Sequence, residues 1–186
     1  MTDPQRTPPL RTSGMRMAAA VTFAIWLGHA VFAWLAASRL PERYPVHFNL
    51  AGQPDRWAVR GDFEWYLLVL MGGVFGLGLT LLGLFFHRLP LRTINVPGKR
   101  QLLALSPERR APVLRVAAWM VLLLGLLIVA MFASIQYAMY RSAHAGRVDA
   151  LLFVVLGLEA ASLLALVVGS LVVMRRRLRD VLGGSS

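Results

Sequence analysis

The chain has 186 residues, of which 57% are hydrophobic and 16% charged, with a mean hydropathy of +0.59. A soluble domain is usually about 45–50% apolar and about 25% charged, so this composition favours an integral membrane protein. The formal net charge of +11 comes from basic residues at the ends of apolar stretches, which argues against nucleic-acid binding. No cysteine is present, which excludes disulfides, thiolate nucleophiles and thiolate metal ligands.

Four apolar stretches each reach the roughly 20 residues that a ~30 Å hydrocarbon core requires. The predicted fold is an all-α membrane protein with four transmembrane helices, at residues 17–37, 65–86, 116–137 and 151–174. The other segments are a disordered cytoplasmic leader (1–16), an outer loop (38–64), a basic inner loop (87–115), a short outer loop (138–150) and a basic cytoplasmic tail (175–186). The first stretch is longer than the usual signal-peptide core of about 7–15 residues, which favours an uncleaved anchor over a cleaved signal.

The distribution of Lys and Arg predicts that both termini are cytoplasmic. Three basic residues lie in the leader, seven in the loop 87–115 and four in the tail, whereas the two other loops together hold six. Basic residues accumulate on the cytoplasmic side of membrane proteins. The loop 38–64 is therefore expected to face the exterior.

The stretch LPERYPVHFNLAGQPDRW (residues 40–57) has the composition of an ordered, extended loop. Its prolines disfavour helix, and alternation places Tyr44, Val46 and Phe48 on one face of an extended segment. NLAGQPD is typical of a turn, in which Gly52 can take a positive φ. Two interpretations are open: a structural cap over the helix ends, and a lid that binds a ligand or a partner.

This stretch resembles the signature of the domain of unknown function 1648, in which a Pro-x-His core and a Gly-x-Pro-Asp turn follow a first membrane helix. The matching positions are Leu40, Pro41, Pro45, His47, Phe48, Gly52, Pro54, Asp55 and Trp57. A second family feature, an Asn-x-Pro loop after the second helix, is similar to INVPGKRQLLALSPERR through Asn95, Pro97 and Lys99. The aromatic residue expected in that loop is missing. The family-like region spans residues 17–137, and both motifs lie in its first part.

The resemblance implies a multi-pass protein of the bacterial cytoplasmic (inner) membrane. It also implies kinship with SdpI-type immunity proteins, which protect cells from a membrane-active peptide toxin and signal its presence. The matched residues of the outer loop would then form a recognition motif for a peptide ligand outside. Those proteins carry this domain followed by further helices, and 186 residues leave no room for their six-helix arrangement. Immunity therefore does not simply carry over.

Small residues line one side of the second span. Gly72, Gly76, Thr80 and Gly83 fall on one helical stripe, which allows another helix to approach closely. That helix belongs either to the same chain or to a second copy in a homo-oligomer.

The basic inner loop is expected to meet the lipid surface. Its seven basic residues attract anionic lipid headgroups at up to about 1 kcal/mol each. Docking of a cytoplasmic regulator is the alternative. SPERR predicts a helix start, with Ser106 as the N-cap and Pro107 in the first turn.

His29 and Glu159 are the ionisable residues inside the predicted spans. Each lies eight residues from the outer end of its span, which is roughly 12 Å along a helix. They could therefore pair if the first and fourth helices are neighbours, and Ser134 and Gln136 could complete a polar cluster. The cluster is either a structural contact that fixes helix packing or a proton- or ligand-responsive site.

The sequence contains no catalytic motif, so we expect neither an enzyme nor a bound cofactor or metal ion. The leading hypothesis is recognition of a ligand or peptide at the outer membrane face, as in immunity or envelope-stress sensing. The alternative is a small proton- or solute-coupled transporter, or an accessory membrane subunit, that uses the Glu159 and His29 pair.

Overall fold

The computed structural model describes residues 10–49 and 53–183. Two strands follow the first helix, and a continuous helical stretch, Phe63–Leu84, forms the second span. The helices and strands are α1 (Ser13–Ala37), β1 (Arg43–Phe48), β2 (Pro54–Val59), α2 (Leu67–Met71), α3 (Gly78–Leu84), α4 (Lys99–Ala104), α5 (Pro107–Ala145) and α6 (Ala150–Gly183). A 3-10 turn at Phe63–Tyr66 precedes α2, and a π-helix at Gly72–Leu77 joins α2 to α3.

Among the described residues, four helices are long and apolar enough to cross a membrane: α1, the second span, α5 and α6. The four predicted spans are therefore present as helices, and the chain has the architecture of a multi-pass membrane protein. The all-α class needs one correction, because part of the loop 38–64 forms a two-stranded antiparallel sheet. Proline and alternating aromatic and β-branched residues suit an extended backbone there.

The first helix begins earlier than predicted. The Thr12 side chain caps α1 by accepting a hydrogen bond from the Met15 N–H at 3.2 Å, so the helix starts at Ser13. The prediction of a disordered leader is therefore wrong for residues 13–16, and residues 1–9 of that leader lie outside the described part of the chain.

The third helix starts at Pro107, where SPERR predicts it, and continues to Ala145. Gly146 then ends it with a left-handed φ of 66°. The predicted short outer loop at 138–150 is wrong for most of its length, because residues 138–145 contain no glycine or proline and continue the helix as far as Gly146.

The fourth helix also runs past its predicted end. α6 continues to Gly183, so most of the basic tail predicted for residues 175–186 is helical, and residues 184–186 lie outside the described part. Arginine and leucine are good helix formers, which explains why the helix does not stop where the apolar stretch stops.

Contacts at the helix ends show that α1 and α5 run in the same direction, whereas α5 and α6 run in opposite directions. The His144 ring, near the end of α5, lies 3.1 Å from the Arg39 carbonyl oxygen, just after α1. At the opposite side, the Arg109 guanidinium, near the start of α5, donates to the Val181 carbonyl oxygen at 2.6 Å. We call the two sides the hairpin end, which carries β1 and β2, and the basic end, which carries the segment 85–106.

The basic end is closed by a buried apolar cluster and by arginine contacts. The Arg11 Nε donates to the Leu84 carbonyl oxygen at 3.0 Å, and its guanidinium lies 4.1 Å from the centre of the Phe85 ring. Partial burial, together with the positive charges of Arg11 and Arg88, lowers the pKa of His87. The buried apolar residues are Leu10, Met15, Phe86, Leu91, Val96, Leu102, Ala111, Val113, Leu114, Ala117, Ala118, Leu122 and Met174.

The glycine stripe of the second span packs against α5 of the same chain. A Cβ added to Gly83 would lie 2.7 Å from the Leu122 Cβ and 2.9 Å from the Ala118 carbonyl oxygen. A Cβ added to Gly76 would lie 3.0 Å from the Gly125 carbonyl oxygen. The two helices therefore approach at backbone distance, which is the use of small residues in membrane bundles.

We predict that Gly83→Ala destabilises the bundle by about 1–3 kcal/mol, because the backbone of α5 must move away. Gly78→Ala, in the same helix, is the matched control, since a Cβ there would meet nothing within 4 Å. Unfolding in mixed detergent micelles, followed by circular dichroism, measures both. Equal stability of the two variants would contradict the packing.

Candidate functional site at the hairpin end

One face of the hairpin is fixed to the helix ends by buried aromatic residues. Tyr44 on β1 pairs with Ala58 on β2, and both are buried. The Tyr44 ring packs edge-on against Trp65 with 5.9 Å between ring centres. Burial, followed by the negative charges of Asp62 and Glu64, raises the pKa of Tyr44 to about 12. Tyr44 is therefore un-ionised where it packs the hairpin against the helix ends.

Hydrogen bonds also hold the base of the hairpin. The Val59 N–H donates to the Asp62 carboxylate at 2.8 Å, and the Arg60 N–H donates to the Glu42 carbonyl oxygen at 2.8 Å. The Arg60 guanidinium donates to the Leu40 carbonyl oxygen at 3.2 Å. Both strand ends are thus tied to each other and to the residues that follow α1.

The outward face of the hairpin carries exposed charged and aromatic groups. The His47 Nδ1 lies 2.5 Å from the Asp55 carboxylate, across the two strands. Trp57, two residues after Asp55 on β2 and therefore on the same side of the strand, has a side chain that is 47% exposed. Arg56 lies between them and instead contacts the Glu64 carboxylate, at the start of the second span, at 3.3 Å. Register irregularities on either side of His47 distort the ladder there. Polar and aromatic side chains therefore lie together on one face of the hairpin, while the opposite face packs against the helix ends.

The predicted outer-loop motif is divided between these two faces. Leu40 and Pro45 are buried, and Pro41 is half-buried at the base. Phe48 pairs with Pro54 near the tip, and both are half-buried. His47, Asp55 and Trp57 point outward, whereas Gly52 lies outside the described residues. The motif thus combines residues that shape the hairpin with residues that are free to make contacts.

A buried polar chain lies directly below the hairpin. The Trp65 indole N–H donates to the Ala33 carbonyl oxygen at 2.8 Å, and the Gln136 amide donates to the Trp65 carbonyl oxygen at 3.0 Å. The His29 Nε2 lies 3.4 Å from the Gln136 Oε1, which makes Nε2 the donor. The chain joins α1, the second span and α5 beneath the hairpin.

Glu159 does not belong to this cluster, which corrects the predicted pairing with His29. His29 contacts Gln136 instead, and α6 packs along α5 rather than along α1. Glu159 is half-buried on α6. Spacing along each helix gives the depth of the two residues, but the order of the helices around the bundle decides whether they meet.

The second predicted motif lies at the basic end. Asn95 is exposed and Pro97 is half-buried, immediately before Gly98, which has a φ of 69°. The Lys99 ammonium donates to the Arg92 carbonyl oxygen at 2.5 Å. These residues shape the turn that precedes α4.

Two site features escaped the sequence analysis. The indole and the backbone carbonyl of Trp65 both belong to the polar chain, yet a tryptophan at the start of a span is usually only an interfacial anchor. The Arg56 and Glu64 contact joins β2 to the second span, and no local spacing rule predicts it. Within residues 10–49 and 53–183, no three His, Asp or Glu side chains are grouped as metal ligands.

Comparison with known proteins gives a family and a distant relative. The family described as Domain of unknown function (DUF1648) matches residues 23–72. An uncharacterized protein of Archaeoglobus fulgidus is 28% identical over 145 residues, which is 71% of each chain. No solved structure matches.

The fold and the site define a multi-pass membrane protein with a β-hairpin mounted on one end of a helical bundle. The segment 23–72, which matches the DUF1648 family, contains most of α1, the hairpin and the start of the second span. The predicted family is therefore confirmed on its first motif. The second motif, at Asn95, Pro97 and Lys99, lies beyond the matched residues.

We predict that Gln136→Leu destabilises the protein by about 0.5–2 kcal/mol, because it leaves the Trp65 carbonyl oxygen and the His29 ring without a buried partner. The double variant Gln136→Leu, His29→Leu should lose less stability than the two single variants lose in total. Unfolding in mixed micelles measures the cycle, with Ser134→Ala, on the same helix, as the control. Additive costs would show that the two side chains are not coupled.

Proposed function

We propose that this protein recognises a ligand or peptide at the outer face of the bacterial cytoplasmic membrane through the outward face of its hairpin. It acts there without catalysis, in immunity or in envelope-stress sensing. The proposal rests on one observation: His47, Asp55 and Trp57 are exposed on a hairpin whose other face is fixed to the bundle.

A fixed hairpin favours recognition because little conformational entropy is lost when a partner binds. Rigid presentation lowers the cost of association, and exposed aromatic and arginine side chains are the residue types that dominate binding energy at interfaces. The Asp55 carboxylate on this face already has the His47 imidazole as a neighbour, so a positively charged partner would replace that contact with one of its own.

The transport alternative has less support. It depends on a pair formed by His29 and Glu159, whereas His29 contacts Gln136. An outer-face role also accounts for the shared motif, since the family match covers the hairpin and stops at Gly72, before the rest of the second span.

Orientation is the first requirement of this proposal. The sequence has no cysteine, so Gln53→Cys and Arg92→Cys, both at exposed positions at opposite ends, give single labelling sites. In intact cells, we expect a membrane-impermeant maleimide to label Gln53→Cys, and to label Arg92→Cys only after permeabilisation. The reverse pattern would place the hairpin inside and would exclude recognition at the outer face.

The hairpin itself is tested by survival of a deletion strain exposed to a panel of cationic membrane-active peptides. We expect wild-type protein to restore survival, and Asp55→Asn and Trp57→Ala to leave the cells close to the sensitivity of the deletion strain. Asp55→Asn removes the negative charge beside His47, and Trp57→Ala removes exposed apolar area.

Glu42→Gln provides the matched control, since it removes one negative charge at an exposed position of the same end. Equal protein levels in the membrane fraction show that the variants insert. Full rescue by Asp55→Asn and Trp57→Ala would contradict recognition by this face. A deletion strain with no altered sensitivity would contradict the immunity role.

A further inference from the structure

The last turns of α6 carry an arginine cluster that the bundle does not use. A shallow, open groove along one side of α6 is lined by Val172, Arg175, Arg176, Leu178 and Arg179, and we call it the arginine groove. The three guanidinium groups are exposed, and none forms an ion pair or side-chain hydrogen bond with a described residue. Their positive charge is therefore available to a ligand.

Two other arginines at the basic end are bonded within the protein. Arg11 donates to the Leu84 carbonyl oxygen and lies over the Phe85 ring, and Arg109 donates to the Val181 carbonyl oxygen. These side chains hold the helix ends together. The guanidinium groups of the arginine groove differ from these two, because no described residue accepts a hydrogen bond from them.

The position of the groove along α6 indicates which kind of ligand can reach it. The predicted membrane span ends at residue 174, so Arg175 and its neighbours lie within about 8 Å of the edge of the hydrocarbon core, at the depth of lipid headgroups. Val172, which lines the groove, is 43% exposed, and a Cβ on Gly169, one turn earlier, would meet nothing within 4 Å. Open apolar surface thus leads directly into the arginine cluster.

We propose that the arginine groove binds the headgroup phosphate of an anionic phospholipid, whose acyl chain lies along the apolar surface at Val172. Guanidinium groups bind phosphate oxygens in pairs, and juxtamembrane basic clusters favour anionic lipids. A lipid fits better than a free phosphate because the groove has both a charged part and an apolar part. The site is independent of the hairpin and of recognition at the other end.

The test uses the full chain in detergent, titrated with phosphatidylglycerol or phosphatidylcholine of the same acyl chains and followed by native mass spectrometry. We expect wild-type protein to retain one phosphatidylglycerol in preference to phosphatidylcholine. The triple variant Arg175→Gln, Arg176→Gln, Arg179→Gln should bind it about ten-fold more weakly. Helical content and elution volume check that the variants fold.

The matched control removes the same number of positive charges at other positions of the basic end. Arg92→Gln, Arg100→Gln, Arg177→Gln removes three exposed positive charges that do not line the groove, and affinity should stay within about two-fold. Equal weakening in the two triple variants would overturn the proposal in favour of diffuse attraction.

Two further experiments test whether the groove is the binding site and whether a lipid occupies it. Val172→Trp fills the groove and keeps all three arginines, so it should also weaken phosphatidylglycerol binding. Unchanged affinity in this variant would overturn the groove as the site. Complete displacement of the lipid by inorganic phosphate would overturn the lipid as its occupant.

Discussion

Hydrogen bonds to Trp65 hold the hairpin end together. The indole N–H of this residue is bonded to a carbonyl of α1, and its own backbone carbonyl is bonded to the Gln136 amide on α5. Its ring also supports Tyr44 of the hairpin. Because hydrocarbon offers no water to replace them, these bonds fix the relative positions of three spans and of the surface above them.

The two ends of the bundle are stabilised by different interactions. At the hairpin end, aromatic packing and a polar chain fix a small sheet that would be unstable alone, since an isolated two-stranded hairpin is only marginally stable in water. At the basic end, an apolar cluster buries Leu10, Leu91 and Val96 beneath a surface rich in arginine. Between the ends, the helix contact at Gly83 leaves no room for a side chain.

Sequence alone predicted the elements that depend on local chemistry. Span number follows from apolar length, and the extended hairpin strand follows from the prolines and the alternation around Tyr44. The family followed from the same stretch, and the match to residues 23–72 confirms it. Helix ends were less predictable, because α6 continues through arginines that favour helix as strongly as the apolar residues before them.

The candidate site was only partly predictable because it depends on the order of the helices around the bundle. The sequence places His29 and Glu159 at equal depth, yet α5 separates their helices and supplies Gln136 as the partner of His29. A glutamine can donate to one group and accept from another, so it bridges a carbonyl and an imidazole without burying a net charge. A glutamate at position 136 would have faced the Trp65 carbonyl oxygen with a second acceptor. The neutral bridge therefore allows a polar core to form inside the membrane, directly below a surface that carries its charges in water.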